Sequence, residues 1–384
     1  MTMLVRLFSG GWIVLAGLVS GCAGAPASQA GLAADAAADG GPRVVDLRDL
    51  PSLEAIIPRL DGTRVVLVGE THDRYDHHLA QLAVIQALHR RRGEVAIGME
   101  FFQQPFQPVL DDYVAGRISE REMLERSEYY DRWRFDHRLY RPVYEYAREH
   151  RIPLIALNLP QELTRRAGQV GIEGLGAEER ASVPAEIDRS DEAYHQRLRA
   201  IYDQHPQNGG FERFLDVQLL WDEGMAERAA RYLQENPART LVVLAGSGHL
   251  AHRSGIPNRL TRRTGEAAAV LLPADAAPLA PGVADYLVTS APASLPPAGK
   301  LGVMLDTTGE RLKVTAFDPT STAKAAGLRV GDRLLAIDGT PVRRFADVKV
   351  ALADKRPGDT VRVEAERGRL LAGEKAVSAD VQLR

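Results

Sequence analysis

The sequence predicts an α/β domain built on a mostly parallel sheet with flanking helices and a helical insert, followed by a small, mostly β domain. Three observations carry this. Short, continuously apolar runs alternate with helical patterns over residues 43–291. A Pro- and Ala-rich stretch at residues 292–299 then breaks the pattern and reads as a linker. Beyond it, residues 300–384 show short alternating strands with turn signals at Asp338-Gly339 and Pro357-Gly358-Asp359. One hydrophobic core rarely grows past roughly 250–300 residues, so a chain of 384 is expected to hold two folded units.

The strand runs are Val65–Val68, Val95–Met99, Leu154–Leu157, Leu241–Leu244 and Ala268–Leu272. Each is apolar without alternation, the pattern of strands covered on both faces. Between them, Tyr75–Arg91, Leu139–His150 and Phe211–Leu233 place apolar residues at helical spacing. Residues 168–206 are helical in pattern but too long for an ordinary crossover, so they should form an insert or lid. A net charge of −3 gives no electrostatic reason to expect nucleic acid as a partner.

At the N-terminus, Arg6 precedes an apolar run from Trp12 to Val19 that is well short of a membrane span. The stretch Leu18-Val19-Ser20-Gly21-Cys22 resembles the lipobox of bacterial lipoproteins, which implies a signal peptide over residues 1–22 and acylation of Cys22. No other cysteine exists, so a disulfide framework, a zinc–thiolate site and a cysteine nucleophile are excluded. Residues 23–42 are mostly Ala, Gly, Ser and Asp and read as a flexible tether. The lipid anchor would make the membrane a partner. Ala23, in place of a retention Asp, implies by resemblance the outer membrane, facing the periplasm.

Polar residues follow the strands directly. Glu70 and His72 follow the first, Glu100 the second, Asn158 the third and His249 the fourth. Parallel α/β sheets bind ligands at the carboxyl ends of their strands, so these side chains should meet on one rim. Two imidazoles and two carboxylates suit a divalent metal such as zinc with an open water position. Taken singly, each residue is equally explained by helix capping or ordinary hydrogen bonding.

The ordered motifs Val68-Gly69-Glu70-Thr71-His72-Asp73, Met99-Glu100-Phe101, Ala156-Leu157-Asn158 and Ala245-Gly246-Ser247-Gly248-His249 resemble the ChaN-like haem-binding uptake proteins of the Tiki/TraB/erythromycin-esterase-like superfamily. The helix Asp216–Ala226, with Trp221-Asp222-Glu223-Gly224-Met225-Ala226, resembles another motif of that family. The ChaN branch implies haem as cofactor and a place in iron acquisition. Its iron takes a tyrosine, and Ser190–His205 is where one is sought, with Tyr194 first and His205 next. Arg197 and Arg199 would suit haem propionates. The Tiki branch implies instead a metal-dependent peptidase, with His72, Glu100 and His249 as metal positions and Glu70 as general base. His-Glu-x-x-His, a nucleophile elbow, a P-loop and a Rossmann fingerprint are all absent.

In the last domain, Pro319-x-Ser321-x-Ala323-x-Ala325-Ala326-Gly327-Leu328 precedes Gly331-Asp332-x-Leu334-Leu335-x-Ile337-Asp338-Gly339, and together they resemble a bacterial PDZ domain. The resemblance implies that Leu301, Gly302 and Val303 offer backbone N–H groups to a peptide carboxylate. The peptide would add as a strand beside Gly302–Leu305, flanked by a helix at Phe345–Leu352. Three readings stay open. They are a haem- or metal-binding lipoprotein whose PDZ domain docks a partner, an envelope metallohydrolase, and a non-catalytic PDZ adaptor. The first is preferred, and whether the chain forms a homodimer is left open.

Overall fold

The computed structural model describes residues 44–206, 209–369 and 373–384. The export segment, Cys22 and the tether 23–42 lie outside the described residues. The elements below belong to one compact unit, Arg48–Arg384.

The first sheet is parallel throughout. Its strands are β1 (Val65–Glu70), β2 (Val95–Gln103), β3 (Leu154–Asn158), β4 (Thr240–Gly246), β5 (Ala268–Pro273) and β6 (Tyr286–Val288), in the order β3-β2-β4-β1-β5-β6. Every residue of β1 to β5 is buried. Alternate residues feed two cores. Val66, Val68, Ile97, Met99, Val242 and Leu244 pack with Val84, Leu88 and Val143 of the helices Tyr75–Arg92 and Arg141–Glu149. Val65, Leu67, Leu241, Val243 and Val270 pack with Met225, Ala229 and Leu260 of the helices Gly210–Glu235 and Ile256–Thr264. Helices on both faces of the sheet remove any reason for polar alternation along it. β6 is short and only half buried, which is why no apolar run announced it.

The expected insert holds the helices Ala177–Ala181 and Glu192–Gln204. Its irregular stretches are tied down by carboxylates of Gly210–Glu235. The Ile172 amide donates to Asp216 at 3.0 Å, and the Asp188 amide donates to Glu223 at 2.8 Å. Glu223 is wholly buried and is neutralised by Arg259, Arg262 and Arg263. Three further short helices, Gln107–Val114, Glu120–Arg126 and Tyr129–Arg132, cover the first face of the sheet and were not anticipated.

The second sheet is antiparallel in the order β12-β11-β9-β8-β7, with β10 against β9. It comprises β7 (Val303–Asp306), β8 (Lys313–Phe317), β9 (Arg333–Ile337), β10 (Thr340–Pro341), β11 (Thr360–Arg369) and β12 (Gly373–Gln382). β7 is an edge strand, preceded by Gly302 in the left-handed region at φ 66°. The helix Phe345–Ala351 sends Val348 and Ala351 into this domain's core and Val350 into the core of the first. Leu295, in the expected linker, also packs against the first core. Among the described residues, no helix is long and apolar enough to cross a membrane.

Candidate functional site

The site lies where the three central strands β2, β4 and β1 end. Glu70 pairs in register with Gly246, and β2 pairs with β4 only as far as Met99 opposite Leu244. β2 then bulges and meets β3 again at Gln103 opposite Asn158. Where the strands part, the Glu100 carboxylate accepts from the Gly246 amide at 2.7 Å, in place of a ladder bond. Gly246 itself leaves the gap in the middle. A Cβ there would stand 3.0 Å from His72 Cε1 and 3.6 Å from Glu100 Oε2. Its φ of −55° suits any residue, so the requirement is space.

Two imidazole–carboxylate pairs flank Glu100. His72 Nδ1 bonds Glu70 Oε1, while the other Glu70 oxygen, without a hydrogen bond among the described residues, is approached by His78 Nε2 at 3.4 Å. His249 Nδ1 lies 2.6 Å from Asp222 Oδ1, and its Nε2 lies 3.5 Å from Glu100 Oε1. The second Asp222 oxygen accepts the Tyr194 hydroxyl at 2.7 Å. All the carboxylates are buried, and the two histidines keep only 15% and 14% of their side-chain surface.

Burial alone would discharge these groups, but their neighbours outweigh it. Burial opposes the His72 cation, yet Glu70, then Glu100 and Asp73, push its pKa up to about 9. His249 is raised against the same burial penalty by Asp222 and Glu100. Burial would raise Glu70, but His72 and His78 hold it below the usual carboxylate range. Asp222 is lowered against burial by His249, Arg259 and Tyr194.

One wall is aromatic. The Trp133 ring meets His72 edge-on at 4.8 Å, and Phe135 stands 5.2 Å away. Trp133 Nε1 donates to the Tyr140 hydroxyl at 3.0 Å, and that hydroxyl donates to the His72 carbonyl at 3.3 Å. Trp221 faces His249 at 6.1 Å.

Glu70, His72, Glu100 and His249 therefore meet on one rim. Asn158 ends the neighbouring β3, buried, with its Oδ1 lacking a hydrogen bond among the described residues. Tyr194 requires a correction. It is 1% exposed, its hydroxyl is committed to Asp222, and Arg259 lies 4.5 Å from its ring, so it braces His249 rather than offering an open iron ligand. His205 sits exposed at the end of Glu192–Gln204, and among the described residues no hydrogen bond or ion pair joins it to this cluster. Arg197 is committed to the Gly248 carbonyl and Ser254, and Arg199 lies over Phe211, so neither is held ready for a propionate. Ser247 donates to the Glu70 carbonyl at 3.1 Å. Leu301, Gly302 and Val303 lie in the second domain at the head of β7. Sequence reasoning missed Asp222, Trp133 and Phe135. Only the run Tyr129-Tyr130…Trp133…Phe135, dense in rings yet outside any periodic pattern, signalled the wall.

The residues present fit an iron or metal centre. Donor atoms of Glu70, His72 and Glu100 all lie within 4.8 Å of one another. A carboxylate on Nδ1 fixes the ring and makes the imidazole a better ligand through its other nitrogen. Haem iron accepts such a histidine, and Trp133 with Phe135 offers an apolar surface to a flat macrocycle.

The family model described as haem-binding uptake, Tiki superfamily, ChaN matches residues 56–260, and that of the PDZ domain matches residues 299–383. Among solved structures, the chain is similar to ChaN of Campylobacter jejuni, described with cofacially bound haem, at 17% identity and a TM-score of 0.48, covering 61% of this chain and 90% of that one. An erythromycin esterase, EreC in its open conformation, is similar at 18% identity and a TM-score of 0.36, covering 57% and 72%. The PDZ region is similar to part of a serine endoprotease from Yersinia pestis at 25% identity and a TM-score of 0.18, covering 23% and 29%. No curated protein matches the sequence. The chain belongs to the ChaN family of haem-binding uptake proteins in the Tiki superfamily, with a PDZ domain following the family's domain.

Proposed function

We propose that this protein is an exported lipoprotein, anchored through Cys22 on the periplasmic side of the outer membrane, that binds haem in iron acquisition. Its PDZ domain docks the C-terminal peptide of a partner. The observation that carries the haem reading is the carboxylate-held His72 beside the Trp133–Phe135 wall, in a domain of a haem-binding family. His72 is the preferred iron ligand, because Tyr194 is buried and bonded to Asp222. β7 supports peptide docking, since among the described residues one side of this edge strand carries no partner strand.

A haemin titration followed by absorbance tests this. The reading expects a saturable Soret shift that His72→Ala abolishes and Tyr194→Phe retains. Loss of the shift in Tyr194→Phe alone would move the iron to the tyrosine, and no shift at all would remove haem. The anchor is tested by Cys22→Ser, which should release the protein from the membrane fraction.

A second reading, a metal-dependent hydrolase with Glu70 as base, is favoured by the compact Glu70–His72–Glu100 donor set. It expects stoichiometric metal in the purified protein, lost in both His72→Ala and His249→Ala. A protein with neither haem nor metal would be left as a PDZ adaptor.

A further inference from the structure

We propose that the peptide groove of the PDZ domain and the His72 site are two ends of one switch, joined by residues 118–141, so that docking a peptide uncovers His72. At the PDZ end, the match to the PDZ domain implies that a peptide added beside β7 would lie against the helix Phe345–Ala351. The back of that helix is fixed to the first domain. It packs on the helices Glu120–Arg126 and Tyr129–Arg132, and Val350 enters their core. Arg344 Nη1 lies 2.5 Å from Asp131 Oδ2, and Arg121 donates to Thr340 Oγ1 at 2.8 Å.

At the other end the same segment covers the site. Trp133 directly follows the helix that carries Asp131, and its ring touches His72 at 4.8 Å. Phe135 and Tyr140 continue the cover, the latter through its bond to the His72 carbonyl.

The cover is hinged. Glu128 at φ 51° and Arg134 at φ 73° bracket Tyr129–Trp133, and both are non-glycine residues in the left-handed region. Such a conformation costs free energy and persists only where surrounding contacts hold it. Here the contacts from the PDZ helix on one side and the His72 ring on the other add to those of the buried Tyr129 on Phe102 and of Arg132 with Gln103, Glu128 and Glu162. A peptide that draws Phe345–Ala351 towards β7 weakens the first set, and the hinges then relax and lift Trp133 and Phe135 from His72. This is a two-state element that both sites bias, the physical requirement for coupling.

The readout is the side-chain NMR signal of His72 in the full-length protein, assigned by its loss in His72→Gln and sensitive to the ring currents of Trp133 and Phe135. The probes are decapeptides with a free carboxylate ending in Val, Leu or Phe, with their C-terminal amides as controls. Carboxylate peptides should move the signal and amides should not. Arg344→Glu and, more mildly, Val350→Ala should move it in the same direction without peptide, and the swap Arg344→Glu with Asp131→Arg should restore it. Arg134→Gly, which accepts the left-handed hinge without strain, should reduce the response. A peptide that binds by calorimetry while His72 stays unmoved overturns the proposal. So does an unmoved His72 signal in folded Arg344→Glu and Val350→Ala, which decides the matter even if none of the peptides binds.

Discussion

His249 Nδ1 stands 2.6 Å from Asp222 Oδ1, with the other oxygen of that carboxylate taking the Tyr194 hydroxyl at 2.7 Å. This relationship orients the His249 ring and turns its Nε2 towards Glu100. Asp222→Asn weakens a buried charged pair and should cost about 2–4 kcal/mol of stability. Tyr194→Phe removes one hydrogen bond to a charged acceptor and should cost about 2 kcal/mol. Urea denaturation of both variants checks the order, and an Asp222→Asn protein as stable as Tyr194→Phe contradicts it.

The ligand-free protein should lose stability as pH rises through the upper neutral range. His72 is held at about 9 in the folded state against an ordinary 6.5. Its contribution is therefore fully present below pH 6.5 and is lost as pH rises through about 9. Glu70 acts in the opposite sense, contributing above its ordinary range and losing that contribution as pH falls through its depressed value. The loss between pH 6.5 and 9 should be on the order of 1–3 kcal/mol. Thermal melts across that window should flatten in His72→Gln, and an unchanged slope would count against the His72–Glu70 pair.

Gly246→Ala inserts a methyl group 3.0 Å from His72 Cε1, with no backbone strain to add. The overpacking should cost about 1–3 kcal/mol. Its larger effect should be on haemin affinity, because the displaced ring is the proposed ligand. Equal affinity in the variant and the parent would show that the gap at the end of β4 is not part of the site.

Glu223→Ala should be the most damaging single change outside the site. It leaves Arg259, 2% exposed, without its buried counter-charge and releases the Asp188 amide. A loss of about 3–5 kcal/mol is expected. Limited proteolysis should then cut first between residues 182 and 191, the irregular stretch that Glu223 ties down.

Gly302→Val places a β-branched residue at φ 66° and drives it against Ser321 and Arg384. Peptide binding should be lost while the haemin titration is retained, since the change is confined to the head of β7. Calorimetry and absorbance on one sample separate the two outcomes.

The expected strands β1 to β5 and the helices Tyr75–Arg92 and Gly210–Glu235 were legible because burial on both sheet faces and on one helical stripe leaves a periodic trace in the residues themselves. Glu70, His72, Glu100 and His249 were legible as a group because a polar residue directly after an apolar strand has one rim to go to in a parallel sheet. Motif order carried the family and the PDZ domain in the same way.

Pairings across the fold leave no such trace. That Asp222 serves His249, that Tyr194 is consumed in bracing that pair, and that Trp133 and Phe135 close over His72 depend on a helix and two loops meeting from distant parts of the chain. The same holds for the PDZ helix, which the sequence marks only as a flank of the groove, while the structure also sends Val350 into the first domain. Local composition settles which segments are buried, because burial is a property of each residue's own chemistry. Which buried groups become partners is decided by packing, where distance and orientation, rather than residue type, set the energy.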